Sequence, residues 1–153
     1  MRRAGVVAAG AAAVALAGTV PAGAVAPEAD VSYHGFAALG EGRLGVWLVP
    51  ANHGPADVSD ATVRLRYSVA LAPRQELPDG CLRSARRVVL CGTGELKAGE
   101  RGEKVAVVVR LAGAPSQATV RIDTVWSGAA ADRNPDNDRH QVLALDTGDS
   151  YVF

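Results

Sequence analysis

The two cysteines are the residues whose chemistry is easiest to assign. Cys81 and Cys91 are the only cysteines in the chain, and an even count favours a disulfide if the protein is exported, as its N-terminal segment predicts. Their spacing suits a bridge that closes a small loop or hairpin. A redox-active pair is the alternative, but such pairs usually have the closer Cys-x-x-Cys spacing. We therefore predict a structural disulfide between Cys81 and Cys91.

Three arginines between these cysteines form a candidate binding loop: Arg83, Arg86 and Arg87. Arg64 and Arg66 occupy alternate positions on an earlier segment, so the sequence predicts a local basic surface. A solvated polar face without a ligand is one interpretation of this surface. Binding of an anionic glycan or a teichoic acid is the other.

A third candidate site is the acidic segment near the end of the chain. Asp132, Asn134, Asp136 and Asp138 place oxygen atoms at alternate positions, as at the start of a calcium loop. The central glycine and the final bidentate glutamate of such a loop are missing, and the twelfth position is Leu143. We expect an Asx-rich turn that starts the last strand, with bound Ca²⁺ as the alternative, and we predict no metal and no cofactor.

The sequence contains none of the common catalytic motifs. His34, His53 and His140 are scattered and do not form a zinc-binding pattern. There is no Gly-x-Ser-x-Gly nucleophile motif and no phosphate-binding glycine loop. Trp47 and Trp126 are predicted to pack in the core or between sheets, with a sugar-binding platform as the alternative. The sequence therefore predicts a protein that is not an enzyme.

The composition fits one ordinary folded domain. The chain has 153 residues, of which 48% are hydrophobic, with 16 basic and 16 acidic residues. This balanced total charge excludes a protein that binds polyanions by its gross charge, and we predict no nucleic-acid partner.

The N-terminal segment has the features of a secretory signal. Arg2 and Arg3 precede an uncharged run at residues 4–26 that is rich in Ala, Gly and Val. Small residues at Ala22 and Ala24 predict cleavage after Ala24, so residues 1–24 are the signal and residues 25–153 are a single mature domain. An uncleaved anchor is the alternative, but Ala and Gly supply little transfer energy for membrane insertion. We expect a secreted, extracellular protein without stable membrane insertion after cleavage.

The rest of the chain alternates apolar and polar residues with a period of two, which is typical of half-buried strands. Turn residues rich in Gly, Pro, Asn and Asp separate the alternating segments. The predicted strands are 44–48, 62–69, 88–91, 105–111, 120–126 and 141–145, with 30–33 as a further edge strand. About seven strands without a helix predict an antiparallel, immunoglobulin-like β-sandwich.

Three turn motifs add a family resemblance. The first is Asn52-x-Gly54-Pro55 within residues 46–61, the second is the Leu-x-x-Gly-Glu step within residues 94–100, and the third is the closing turn at residues 132–138. In this order they resemble a bacterial immunoglobulin-like conserved-repeat family, a domain of unknown function found in secreted and cell-surface proteins. The resemblance implies an immunoglobulin-like fold and a place in the envelope or medium.

The functional expectation combines these observations. We expect a secreted, non-enzymatic module that binds a ligand or serves a structural role in the bacterial envelope or medium. Its partner would be a cell-wall polymer or another secreted protein. The alternative is a secreted inhibitor of a hydrolase, because a small disulfide-bonded β protein can present a rigid loop such as the one that carries Arg83, Arg86 and Arg87.

We predict that the mature protein begins at Val25, because Ala22 and Ala24 satisfy the specificity of signal cleavage. N-terminal sequencing of protein from the culture medium tests this prediction. Recovery only of membrane-bound protein that retains residues 1–24 would contradict it.

Overall fold

A computed structural model describes residues 23–153, so most of the predicted signal, residues 1–22, lies outside the described residues. The described chain forms strands and no helix. Within it, no helix is long and apolar enough to cross a membrane. The strands are β1 (Glu28–Ala29), β2 (Val31–Gly40), β3 (Arg43–Asn52), β4 (Thr62–Tyr67), β5 (Cys81–Ala85), β6 (Val88–Gly92), β7 (Val105–Arg110), β8 (Gln117–Trp126), β9 (Ala131–Asp132), β10 (His140–Leu145) and β11 (Ser150–Val152).

Nine of these strands form two antiparallel sheets that pack against each other. The five-stranded sheet has the order β10-β8-β4-β6-β5, and the four-stranded sheet has the order β11-β2-β3-β7. β1 and β9 form a short parallel pair beside them. One cluster of buried side chains draws on both sheets, which confirms the predicted antiparallel β-sandwich.

The core consists of apolar residues that the period-two pattern predicted to be buried. On β4, Val63, Leu65 and Tyr67 are at most 1% exposed, and on β7 Val107 and Val109 are fully buried. Each lies on the inner face of its sheet because side chains alternate between the faces of a strand. Small and β-branched residues suit this role, since they pack closely on a pleated surface.

β2 differs from the prediction. The predicted edge strand at residues 30–33 extends to Gly40, and it lies between β11 and β3 instead of at an edge. Its second half contains Gly35, Ala37 and Ala38, which have low strand propensity, so the sequence pattern is weak there. Pairing along the whole of β3 supplies the strand conformation that the local sequence does not favour.

The prediction that Trp126 lies in the core is wrong, because its side chain is 50% exposed. The cause is a register shift between β4 and β8, where Val63 pairs with Thr124 but Thr62 pairs with Trp126. The extra residue, Val125, makes a β-bulge, and a bulge reverses the face on which later side chains lie.

Trp47 also lies outside the core. Its neighbours Val46 and Leu48 are buried, so Trp47 is on the outer face of the four-stranded sheet. Its ring stacks on Phe36 of β2, with ring centroids 4.9 Å apart and an interplanar angle of 18°. A Cβ atom at Gly45 would lie 2.2 Å from the indole, so glycine is required beneath the ring.

The predicted disulfide is confirmed. Cys81 on β5 pairs directly with Cys91 on β6, and their Cα atoms are 4.1 Å apart. Cys91 is fully buried. Because β5 is the last strand of its sheet, the disulfide fastens an edge strand to the neighbouring strand β6.

We predict that the double variant Cys81→Ala and Cys91→Ala loses about 2–3 kcal/mol in the free energy of unfolding. The reason is that the disulfide of the parent protein closes a short loop and so restricts the unfolded chain. Urea unfolding of the variant and the parent protein measures this loss. An unchanged denaturant midpoint would contradict a stabilising role for the bridge.

Candidate functional site

A group of arginines occupies the outer face of the five-stranded sheet. Arg64 and Arg66 alternate with the buried residues Val63 and Leu65 on β4, so they lie on the opposite, outer face. Arg121 of β8 pairs directly with Arg66. We define the arginine face as Arg64, Arg66, Arg86, Arg87, Arg121 and Arg139.

One member of this face is neutralised by a carboxylate. The Nε of Arg64 donates a hydrogen bond to Oδ1 of Asp123 at 2.9 Å, and Nη2 donates to Oδ2. These hydrogen bonds favour the charged guanidinium and raise the pKa of Arg64. The two-point contact fixes both side chains, so Arg64 is the member of the face least available to a ligand.

Arg66 and Arg121 have no such partner. No ion pair within residues 23–153 involves either of them. Like charges directly opposite each other on neighbouring strands destabilise a sheet. The fold therefore holds uncompensated positive charge at this position, where an anion would be favourable.

Two neighbouring clefts share these arginines. The first has a volume of about 330 Å³ and the second of about 650 Å³, and Arg66, Arg121 and Gln141 line both. Arg139 extends the first cleft, and the second is extended by the side chains of Arg86 and Arg87. Gln141 accepts a hydrogen bond at 2.7 Å from Nε of Arg121 and thereby holds that guanidinium in place.

The predicted binding loop is a β-hairpin in which Arg83 has a structural role. Arg83 lies on β5, and its guanidinium donates hydrogen bonds to backbone carbonyls of the segment that follows β4. Nη1 is 2.9 Å from the carbonyl oxygen of Ala72, and Nη2 is 3.3 Å from that of Leu71. Arg83 therefore joins the hairpin to this segment instead of facing a ligand.

Arg86 and Arg87 form the turn of the same hairpin and have exposed side chains. Their carbonyl oxygens each accept a hydrogen bond at 2.8 Å, from the amides of Leu71 and Tyr67 respectively. The backbone of the turn is thus held in place while both guanidinium groups remain free to contact a ligand.

The closing turn forms the expected Asx turn. Oδ1 of Asp132 accepts a hydrogen bond from the amide of Asn134 at 2.9 Å. Asn134 and Asp136 are exposed, whereas Asp138 is only 5% exposed. The alternate positions considered for calcium therefore do not all face one site. Within the part of the chain that the structure describes, no three His, Cys, Asp or Glu side chains are grouped to hold a metal ion.

The environment of Asp138 changes its acidity. Burial raises its pKa, hydrogen bonding by Thr124 lowers it, and the nearby charge of Asp132 raises it again. The direction is upward, so the folded protein disfavours the ionised form of this carboxyl group.

The first two resemblance motifs meet at a buried side chain. Asn52 is fully buried, and its Oδ1 accepts hydrogen bonds from the amides of Asp30 at 3.2 Å and Gly54 at 3.0 Å. Its Nδ2 donates to the carbonyl oxygens of Ala56 at 2.7 Å and Leu96 at 3.2 Å. Asn52 belongs to the first motif and Leu96 to the second, so these motifs are parts of one hydrogen-bonded junction.

The third motif joins this junction through Asp30. Nδ2 of Asn137 donates a hydrogen bond to Oδ1 of Asp30 at 2.7 Å. Gly54 of the first motif packs on the same segment, because a Cβ atom there would lie 2.5 Å from Cα of Ala29. The turn residues that carry the resemblance therefore have a common structural purpose, which is to hold three loops together.

Sequence reasoning missed Arg121 and Asn137. Arg121 stands between Val120 and Ile122, so the alternation indicated an outward side chain, but its position opposite Arg66 depends on strand order. Asn137 stands next to the residues considered for calcium, at a position outside the alternating set.

The chain was also compared with known proteins. No protein-family model matches the sequence, and no curated protein matches it either.

We predict that Arg83→Met lowers the free energy of unfolding by about 1–3 kcal/mol, because backbone carbonyls lose a charged hydrogen-bond donor. Arg86→Met is the matched control, since its exposed guanidinium makes no ion pair among the described residues, and we expect a change within about 0.5 kcal/mol. Urea unfolding of both variants measures the difference. Equal midpoints for the two variants would contradict a structural role for Arg83.

Proposed function

We propose that this protein is a secreted, non-enzymatic, immunoglobulin-like module that binds an anionic polymer of the bacterial cell wall through its arginine face. The observation that carries the proposal is that the facing arginines Arg66 and Arg121 line two adjoining clefts together with Arg86, Arg87 and Arg139. A sheet retains such a destabilising pair at a cost, and an anionic ligand would turn this repulsion into attraction.

The chemistry of arginine supports binding over catalysis. A guanidinium stays charged at all physiological pH values, so it does not serve as a general acid or base. Its planar set of donors matches the oxygens of phosphate and carboxylate groups. Two adjoining clefts along one sheet face suit a chain with repeated negative charges, such as a teichoic acid or an acidic glycan.

The predicted secretion is consistent with the disulfide. Disulfides persist in oxidising, extracellular surroundings and are rare in the cytosol. A mature chain without Arg2 and Arg3 would have two more acidic than basic residues. Binding to a polyanion would then depend on local charge, and it would weaken steeply as salt screens that charge.

A hydrolase inhibitor is the second candidate function. It is favoured by the tip of the β5–β6 hairpin, where the exposed side chains of Arg86 and Arg87 project from a backbone fastened by hydrogen bonds and a nearby disulfide. A rigid, exposed tip of this kind can enter the cleft of an enzyme with little loss of conformational entropy.

We predict that the double variant Arg66→Gln and Arg121→Gln binds purified teichoic acid or acidic wall glycan at least tenfold more weakly, a loss of about 1.4 kcal/mol. The reason is the loss of two uncompensated charges that line both clefts. Co-sedimentation with wall fragments, repeated from low to high salt, measures the affinity. The two purified polymers distinguish a phosphate ligand from a carboxylate ligand.

The matched control is Arg43→Gln with Arg110→Gln. These arginines are also paired directly on neighbouring strands, but on the four-stranded sheet. The control removes the same charge and should keep parental binding. Equal weakening in both double variants would show a dependence on total charge and would contradict a specific site. Recovery of a secreted hydrolase, with no binding to wall fragments, would favour the inhibitor.

A further inference from the structure

Three acceptor oxygens without hydrogen-bond donors lie in the closing turn. They are Oδ2 of Asp132, Oδ1 of Asn137 and Oδ1 of Asp138, and each is buried from solvent without a partner among the described residues. Buried polar atoms in proteins nearly always have a partner. Three acceptors within a few residues of one another therefore indicate that this turn receives a group with positive charge or with protons to donate.

Asp138 is the most deeply buried of these three residues. The residue is 5% exposed and is hydrogen-bonded by Thr124, yet its Oδ1 is buried without a hydrogen-bond donor, which is expensive. The nearest cation is Arg139, whose Nε lies 3.8 Å from the free Oδ1. That distance exceeds a hydrogen bond, and the side chain of Arg139 is 64% exposed. Arg139 therefore does not satisfy the free oxygen.

The other two side chains have fixed orientations. Asp132 uses Oδ1 to accept the amide of Asn134 at 2.9 Å, which leaves Oδ2 free. Asn137 uses Nδ2 to donate to Asp30 at 2.7 Å. A carboxylate only accepts hydrogen bonds, so the amide nitrogen must face Asp30 and the amide oxygen must face away from it. Each side chain thus presents one oxygen that no donor among residues 23–153 uses.

The carboxylates also influence each other. The charge of Asp132 raises the pKa of Asp138. Tyr33, whose pKa is raised mainly by burial, is further affected by both Asp138 and Asp132. Hydrogen bonds join the same residues to Tyr33, whose amide donates to the carbonyl oxygen of Asn137 at 3.4 Å. The hydroxyl of Tyr33 shares a hydrogen bond at 2.6 Å with Thr124, which also hydrogen-bonds to Asp138.

We propose that this closing-turn cluster binds Ca²⁺ through Oδ2 of Asp132, Oδ1 of Asn137 and Oδ1 of Asp138. Hard oxygen donors without nitrogen or sulfur favour Ca²⁺ over Zn²⁺. The ion needs roughly six to eight oxygens, so water must complete its coordination, and we expect a weak site with a Kd of about 10⁻⁴–10⁻³ M, as in extracellular modules. The site shares no residue with the arginine face. Asn134 and Asp136 are not ligands.

The test is thermal unfolding of the purified protein in excess chelator and then in CaCl₂ at about ten times the expected Kd. Because an ion that binds only the folded state must stabilise it, we expect Tm to rise by about 4 °C or more. MgCl₂ at the same concentration controls for ionic strength and should give a smaller rise, since Mg²⁺ demands tighter octahedral geometry. Titration calorimetry with CaCl₂ gives the Kd directly.

The variants Asp138→Asn and Asp136→Asn form a matched pair, because both remove one negative charge from the same turn. Asp138→Asn should fold in chelator, since it removes a buried charge, and it should lose the Ca²⁺-dependent rise in Tm. Asp136→Asn should retain the rise, because its side chain is exposed. An unchanged Tm in the parent protein would show that water or a shared proton serves these oxygens, and it would overturn the proposal. A full rise in Asp138→Asn would also overturn it.

Discussion

The buried amide of Asn52 is the interaction on which the loop end of the sandwich depends. The amide oxygen accepts two hydrogen bonds and the amide nitrogen donates two. Together these bonds join the start of β2, the loop after β3 and the segment around Leu96. A buried amide is tolerated only when its hydrogen bonds are made, and here all four are formed by backbone groups of loops. Loop segments lack the interstrand hydrogen bonds that hold a sheet together. The side chain of Asn52 therefore fixes the loop backbones that strand pairing does not.

This junction determines what remains available for function. With the inner faces packed together and the loops fastened, ligands can reach the outer faces, and these differ sharply. The five-stranded sheet presents Arg66 and Arg121 directly opposite each other. The four-stranded sheet presents the stacked rings of Phe36 and Trp47, and it also has a facing arginine pair, Arg43 and Arg110. A carboxylate side chain, Glu76, lines the small cleft beside that pair. The five-stranded sheet instead gathers further arginines around two larger clefts, so its concentration of positive charge is the stronger reason to expect a ligand there.

The sequence predicted the elements whose pattern reflects burial and missed those that depend on pairing. β4 and β7 alternate strictly because one face of each is buried, and that constraint is visible in a single segment. β11 and the second half of β2 are strands because of their neighbours. Trp126 turned outward because of a bulge, which the spacing of apolar residues does not reveal. At the candidate site, the outward direction of Arg66 was predictable, but its partner Arg121 and the structural role of Arg83 required strand order and loop contacts.

The two proposed sites are close enough along the chain to affect each other. The closing turn ends at Asp138, Arg139 follows, and Gln141 of β10 then holds the guanidinium of Arg121. Asp138 and Arg139 are the nearest carboxylate and cation in this segment, so the carboxylate weakens the attraction of Arg139 for an anion. Calcium bound to Asp138 would cancel that opposing charge and fix the start of β10. A metal ion in the turn would therefore strengthen the positive electrostatic potential of the first cleft. By this means a weak calcium site would raise the affinity of the neighbouring surface for a polyanion.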